Sequence, residues 1–224
     1  ARFAEVFEPD SDLHFTAVAD NPEDYGTVEA MGWAAREAGL GAHYCDLDKI
    51  AFSEDGQFLD DQDRRIAVLF KLYPWEDLLC DDYAAHIDGS GCLFLEPAWK
   101  ALLSNKGLLP VLWRMFEGHP NLLPAFFEAD VADALAGRGP AAPACAEAFD
   151  RAAADLAAAH VRKPILSREG ASVSIHQSGK VIEQSKNLDY AQHPRIVQAY
   201  APLPEFDGFR PVIGSWIVGE TCAG

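Results

Sequence analysis

Positive charge is scarce in this sequence: 18 Lys and Arg stand against 35 Asp and Glu, a net charge of -17 over 224 residues. A deficit of that size excludes the broad basic face that non-specific binding to nucleic acid or to an anionic membrane requires. The five cysteines are odd in number and scattered, without a C-x-x-C pair. That spacing argues against a disulfide framework and a zinc site and fits a reducing cytoplasm. No apolar run approaches the roughly 18–20 residues that span a bilayer, and no signal peptide opens the chain. Gly-x-Gly-x-x-Gly is missing, so dinucleotide binding is unsupported. Gly-x-Ser-x-Gly is missing too, and the seven histidines show no metal-ligand spacing.

Hydrophobic content of 49% with 24% charged residues describes a folded domain or two. Periodicity predicts a strand over Leu13–Val18, then a helix from Asn21-Pro22 to about Ala38 that stops at Gly39. A strand over 42–46, a polar loop over Asp60–Arg65 and a buried strand over Ile66–Phe70 follow. This β-α-β-β order suggests a Rossmann-like unit. Residues 1–11 read as an acidic lead-in without a clear fold. A helix is expected from Trp75 to Ala85, a short strand over Cys92–Leu95, and helices over Pro97–Leu103 and Leu108–Phe116. Val131–Pro143 reads as a loop or weak helix, and Ala144–Ala159 as an Ala-rich helix. A hairpin turns at Gln177–Gly179, with further strands over Ile196–Tyr200 and Pro211–Val218. The second half is thus α+β, and the expected division is a Rossmann-like unit over 1–90 and an α+β part over 91–224.

Against an acidic background the local cations Arg162-Lys163 and Lys100…Lys106 stand out. Val161–Ala171 reads as a strand passing into a short polar loop. Lys163 is a compact charge suited to a phosphate oxygen, and Arg168 adds a planar fork of donors. Gly170-Ala171 allows backbone N–H groups to approach an anion. The same stretch is equally an ordinary hairpin. Lys106, in a tight Asn-Lys-Gly turn, is a second candidate cation or a surface lysine. Glu76 and Glu96 at strand–helix junctions, like Glu23 and Asp24, answer the helix dipole or hold a polyamine by charge.

Several runs, in order, resemble the glutathionylspermidine synthase family and its stand-alone bacterial acid–amine ligase relatives. They are Phe70–Glu76, Leu95–Lys100, Leu103–Lys106, Leu108–Trp113, Gly118–Pro124, Val161–Ala171, Gln198–Pro204 and Val212–Gly219. The resemblance implies an ATP-grasp-type synthetase, a small preATP-grasp unit followed by an antiparallel sheet with helices. Such enzymes use ATP and magnesium to form an acyl phosphate that an amine converts to an amide. It implies ATP contacts at Lys106, Lys163, Ser167, Glu169, Gly170 and Ala171, with adenine held along Gln198, Ala199 and Tyr200. Arg168 is the implied catalytic residue. Leu72, Trp75, Glu76 and Asp77 are implied at a site for a glutathione-like acid, and Glu23 and Asp24 at one for a polyamine-like amine. The family's Arg…Asp…Glu-x-Asn run, which carries magnesium ligands, is not in this span. The metal ligands are therefore expected outside it, and the chain is expected to be an internal fragment with little turnover alone. The Ala-rich stretch Gly137–Ala158 lies outside the family pattern. A non-catalytic nucleotide- or peptide-binding module of the same fold is the alternative.

Overall fold

A computed structural model describes Arg2–Ala223, and its contacts divide the chain into two compact units: Ala1–Ala101 with Gly214–Gly224, and Leu102–Ile213.

The first unit opens with α1 (Arg2–Val6), where the sequence suggests only an acidic lead-in. Then come β1 (Asp12–Thr16), α2 (Pro22–Glu37) and β2 (Gly41–Tyr44). The α2 start is as read: the Asn21 side chain accepts from the amides of Glu23 and Asp24, both at 3.2 Å, and Pro22 supplies the first helical φ. Its end is a Schellman motif. Gly39 takes a φ of +81°, and the amides of Gly39 and Leu40 return to the carbonyls of Arg36 and Ala35.

A small hairpin of β3 (Ala51–Phe52) and β4 (Phe58–Leu59) precedes β5 (Val68–Lys71). This strand lies two residues later than the apolar run suggests, because Ile66 is buried against the hairpin and not paired in the sheet. The helix expected over 75–85 is two short helices, α3 (Trp75–Leu78) and α4 (Ala84–Ile87). Two acids, Asp81 and Asp82, fall in the break. With β6 (Leu93–Leu95) the strands form a sheet in the order β2-β1-β5-β6, every pair parallel. Alternation along β1 sends Leu13 and Phe15 into a cluster with Val28 and Ala35 of α2. A second cluster gathers Ile66, Leu69, Trp75, Leu78 and Phe94.

The second unit holds α5 (Leu108–Met115), β7 (Ala125–Phe127), α6 (Glu128–Leu135) and α7 (Ala146–Ala158). It continues with β8 (Ala159–Pro164), β9 (Ser174–Gln177), β10 (Lys180–Gln184) and β11 (Arg195–Ala199). The strands build an antiparallel sheet in the order β10-β9-β8-β11-β7. Two elements here differ from the periodicity reading. The short strand β7 was masked by its place directly before a helix, and α6 forms where a loop or weak helix is expected. Val131 anchors α6, fully buried against Phe126, Phe149, Leu156 and Val197. Leu156 is also fully buried, worth about 1.5–3 kcal/mol in transfer free energy. The small Ala152 lets α7 pack closely in the same core.

The strand expected over Pro211–Val218 is reduced to β12 (Ile217–Val218), paired only with β13 (Thr221–Cys222). Val212 and Ile213 are 83% and 91% exposed, so the apolar pattern there has no packed face to serve.

Candidate active site

Register sorts the two faces of the five-stranded sheet. Arg162 lies opposite Val197 and His160 opposite Ala199, on the side where Val197 and Ala199 join the helical core. Residues alternate, so Val161 and Lys163 of β8 share the other face with Ile196 and Gln198 of β11. There the Lys163 ammonium donates to Gln198 Oε1 at 2.8 Å. Burial pulls the Lys163 pKa down from the ordinary lysine value, and among the described residues no carboxylate pairs with it. A cation desolvated and met only by an amide oxygen favours an incoming anion. Sequence reasoning assigned Gln198 through its backbone; its side chain holds the lysine, a cross-strand diagonal with no signature in a single sequence.

Lys106 is tied to the loop after β8 at both ends. Its amide donates to the Ile165 carbonyl at 2.8 Å. Its ammonium donates to the Ser167 carbonyl at 2.6 Å and to Ser167 Oγ at 2.9 Å. The next residue, Gly107, is closely packed: a Cβ there would sit 2.8 Å from Asn105 Oδ1 and 3.4 Å from Phe127. Lys106 and Ser167, 61 residues apart, are thus brought together, as are Lys163 and Gln198.

The loop itself turns through left-handed backbone at Glu169, Gly170 and Ser172, with φ of 50°, 72° and 58°. Inside it the Ala171 amide donates to Arg168 O at 2.8 Å and the Val173 amide to Gly170 O at 3.2 Å. Ser172 pins the turn from outside. Its amide donates to Asn187 O at 2.7 Å, and its Oγ accepts from the Tyr190 amide at 3.2 Å. An anion reaching the Ala171 amide must therefore displace the Arg168 carbonyl. Arg168 and Glu169 are exposed on the loop. Along β11, the Ala199 amide donates to Pro124 O and the Tyr200 amide to Ala159 O. A base docking on this edge therefore meets no uncommitted amide at those two residues.

In the first unit, the remaining sequence candidates follow the carboxyl ends of neighbouring parallel strands. Glu23 and Asp24 open α2 beyond β1, and Leu72 to Asp77 continue from β5; the Leu72 amide donates to Thr16 O at 2.9 Å. That edge is where open α/β sheets place ligands. Glu76 and Asp77 lie in the first turn of α3. Trp75 is 6% exposed, packs on Phe94 and donates its indole N–H to Glu96 O at 3.1 Å. Lys71 sits 4.0 Å over the Trp75 ring centroid, a cation–π contact, and donates to Tyr73 O.

A polar network on β1 escaped sequence reasoning. His14 Nε2 is 3.3 Å from Asp60 Oδ2, and Asp60 accepts from the amides of Gln62 and Arg64 and from Arg64 Nε at 2.6 Å. Arg64 also meets His43 Nδ1 at 3.0 Å, and His43 Nε2 is 2.7 Å from Asp12 Oδ1. Burial would raise the Asp60 pKa, but the Arg64 and Gln62 donors outweigh it and hold it at about 2. Burial lowers His14 against the opposing pull of Asp60. Nothing in the spacing links residues 46 positions apart, and the polar run over 60–65 reads as an ordinary loop.

A family model described as glutathionylspermidine synthase preATP-grasp matches residues 1–224. A Haemophilus influenzae protein named as an acid–amine ligase is 36% identical over 221 residues, covering 96% of this chain and 51% of the relative. Trypanothione synthetase of Crithidia fasciculata is 24% identical, covering 95% of this chain and 32% of its own length. The bifunctional glutathionylspermidine synthetase/amidase of Escherichia coli is 23% identical, covering 95% and 34%. The chain therefore spans about half or less of the curated relatives it matches. Among solved structures, that of D-cycloserine synthetase DcsG aligns with a TM-score of 0.51 at 18% identity, covering 85% of this chain and 59% of that one. That likeness is one of fold.

Proposed function

Because the chain belongs to the glutathionylspermidine synthase preATP-grasp family, whose relatives here are ligases and synthetases, we propose that it is part of an ATP-dependent acid–amine ligase. The carboxylate of a peptide-like acid is activated as an acyl phosphate, and a polyamine-like amine displaces phosphate to form the amide. The observation that carries this reading is Lys163, desolvated on the sheet face it shares with Gln198, with Gln198 Oε1 at 2.8 Å and, among the described residues, no carboxylate paired with it.

In this reading the chain holds the nucleotide and leaves the metal to other residues. Lys163 and Lys106 neutralise phosphate oxygens, which is most of what phosphoryl transfer asks of a protein. Lys106 does so by exchanging its bonds to Ser167 for bonds to phosphate, coupling nucleotide arrival to the loop over 167–171. Arg168 reaches the reacting carboxylate from that loop, and Gln198 to Tyr200 border the base. Glu23 and Asp24 supply the negative charge a polyamine needs, and Leu72 to Asp77 line the site for the acid. Among the described residues no group of three or more His, Cys, Asp or Glu could hold a metal ion.

Two of the relatives are named as a trypanothione synthetase and a glutathionylspermidine synthetase/amidase, so a peptide acid and a polyamine are the substrate classes to test first. Phosphate release by the intact gene product, with panels of acids and amines in the presence of ATP and magnesium, is the assay. Release that requires both an acid and an amine supports the ligase. Release with no pair, or without an amine acceptor, overturns it.

A further inference from the structure

On the helical side of the second unit, α5, the β7–α6 junction and the start of α7 enclose a cavity of about 690 Å³. Its size falls in the range of roughly 300–1,000 Å³ typical of small-molecule sites. The cavity lies at the β7 edge of the sheet: Trp113 and Phe126 of the helical core line it, and so do Ala125 and Phe127, which alternate to the other face. Val111, Met115 and Phe127 form an apolar rim, 44%, 65% and 37% exposed. One wall comes from Pro143 to Arg151, within the Ala-rich stretch before and into α7. The small Ala144 and Ala148 on that wall leave the volume open.

The charges lining the cavity are unevenly used. Arg151 is spent on Glu117 through two 2.7 Å bonds and lies 4.0 Å from Glu147. Arg114 and Asp130 line the same cavity, and neither side chain makes an ion pair or hydrogen bond to another described residue. Both act electrostatically on the Cys145 thiol, which also lines the cavity. Burial raises its pKa first, Asp130 raises it further and Arg114 opposes them. An unspent cation and an unspent anion therefore lie within electrostatic reach of one sulfur, beside an apolar surface.

We propose that this cavity binds a short zwitterionic peptide with an apolar side chain. The carboxylate docks on the Arg114 guanidinium, the ammonium on Asp130, and the side chain on Val111, Met115 and Phe127. Opposite free charges favour a ligand carrying both signs over a simple anion, and a carboxylate suits the guanidinium fork. The site uses neither Lys106 nor Lys163 and does not rest on the ligase reading.

Calorimetry of the 224-residue chain with alanyl-phenylalanine tests it, with the N-acetylated, C-amidated dipeptide as the uncharged control. The expected result is binding of the zwitterion about tenfold or more tighter than the control, since each charged hydrogen bond is worth about that factor or more. Arg114→Gln and Asp130→Asn should each lower the affinity about tenfold, and Ala148→Trp should abolish it by filling the cavity. No binding at millimolar peptide, equal binding of the capped control, or binding unchanged in Ala148→Trp overturns the proposal. Both charge variants alter exposed side chains, so they decide the question even if Ala148→Trp does not fold.

Discussion

Asp60→Asn removes one charge from the network on β1 and changes almost no volume. The wild-type carboxylate is 2% exposed as a residue and takes two amide bonds at 2.8–2.9 Å, the Arg64 Nε bond at 2.6 Å and the contact with His14. A fall from the ordinary 3.8 to about 2 corresponds to about 2 kcal/mol of stability at neutral pH. Half-exposure of the Arg64 partner makes that an upper value. The amide variant loses this term and turns an N–H₂ toward Arg64 or the backbone amides, so the expected destabilisation is about 2–3 kcal/mol. Hydrogen exchange of the β1 amides reads it, because it reports opening of the first unit without assuming that both units unfold together. The acid limb gives an independent check. The folded Asp60 pKa lies below the unfolded one, so its stabilisation is present above about pH 4 and is lost as pH falls toward 2. That limb should be missing from Asp60→Asn. A cost under about 0.5 kcal/mol, or the same acid limb in both proteins, refutes the network as a stabilising element.

Three further outcomes are expected. Leu156→Ala should destabilise the second unit by about 2–5 kcal/mol in denaturant unfolding, since the residue is fully buried among Phe126, Phe149 and Val197. His14, His160 and His176 all have pKa values lowered by burial, so the unfolded chain binds more protons than the folded one below about pH 6.5. Stability should therefore fall as pH drops from 7 toward 5, before the Asp60 window opens. Iodoacetamide should label the exposed Cys80 and Cys222 first, and mass spectrometry should find Cys45 and Cys92 slow. Cys45 is buried, and burial pushes the Cys92 thiol up to about 12.

The parallel sheet of the first unit was legible because each strand and helix carries its own local punctuation. Asn21-Pro22 starts α2, Gly39 ends it, and the apolar run at 66–70 marks a buried strand near β5. The element boundaries slipped where tertiary packing overrode pattern. Ile66 left the strand to pack on the β3–β4 hairpin, and buried Val131 holds α6 up to Leu135, just before the glycines at 137 and 139. The expected strand over 211–218 failed for the converse reason: apolar alternation without a partner surface gives no sheet. At the candidate site, Lys106 and Lys163 were visible as isolated cations in an acidic chain. Their partners Ser167 and Gln198 were assigned other contacts, because a bond across 61 or 35 residues depends on register that only the folded sheet sets. The Asp60 network had no local signal at all.

The proposed role of Lys106 and Lys163 is to hold a polyphosphate against the five-stranded sheet. Calorimetry of the 224-residue chain with ADP and magnesium tests it most directly, using Lys106→Ala, Lys163→Ala and the double variant. ADP should bind measurably, about tenfold or more weaker after either substitution and not at all to the double variant. ADP binding that survives the loss of both lysines contradicts it.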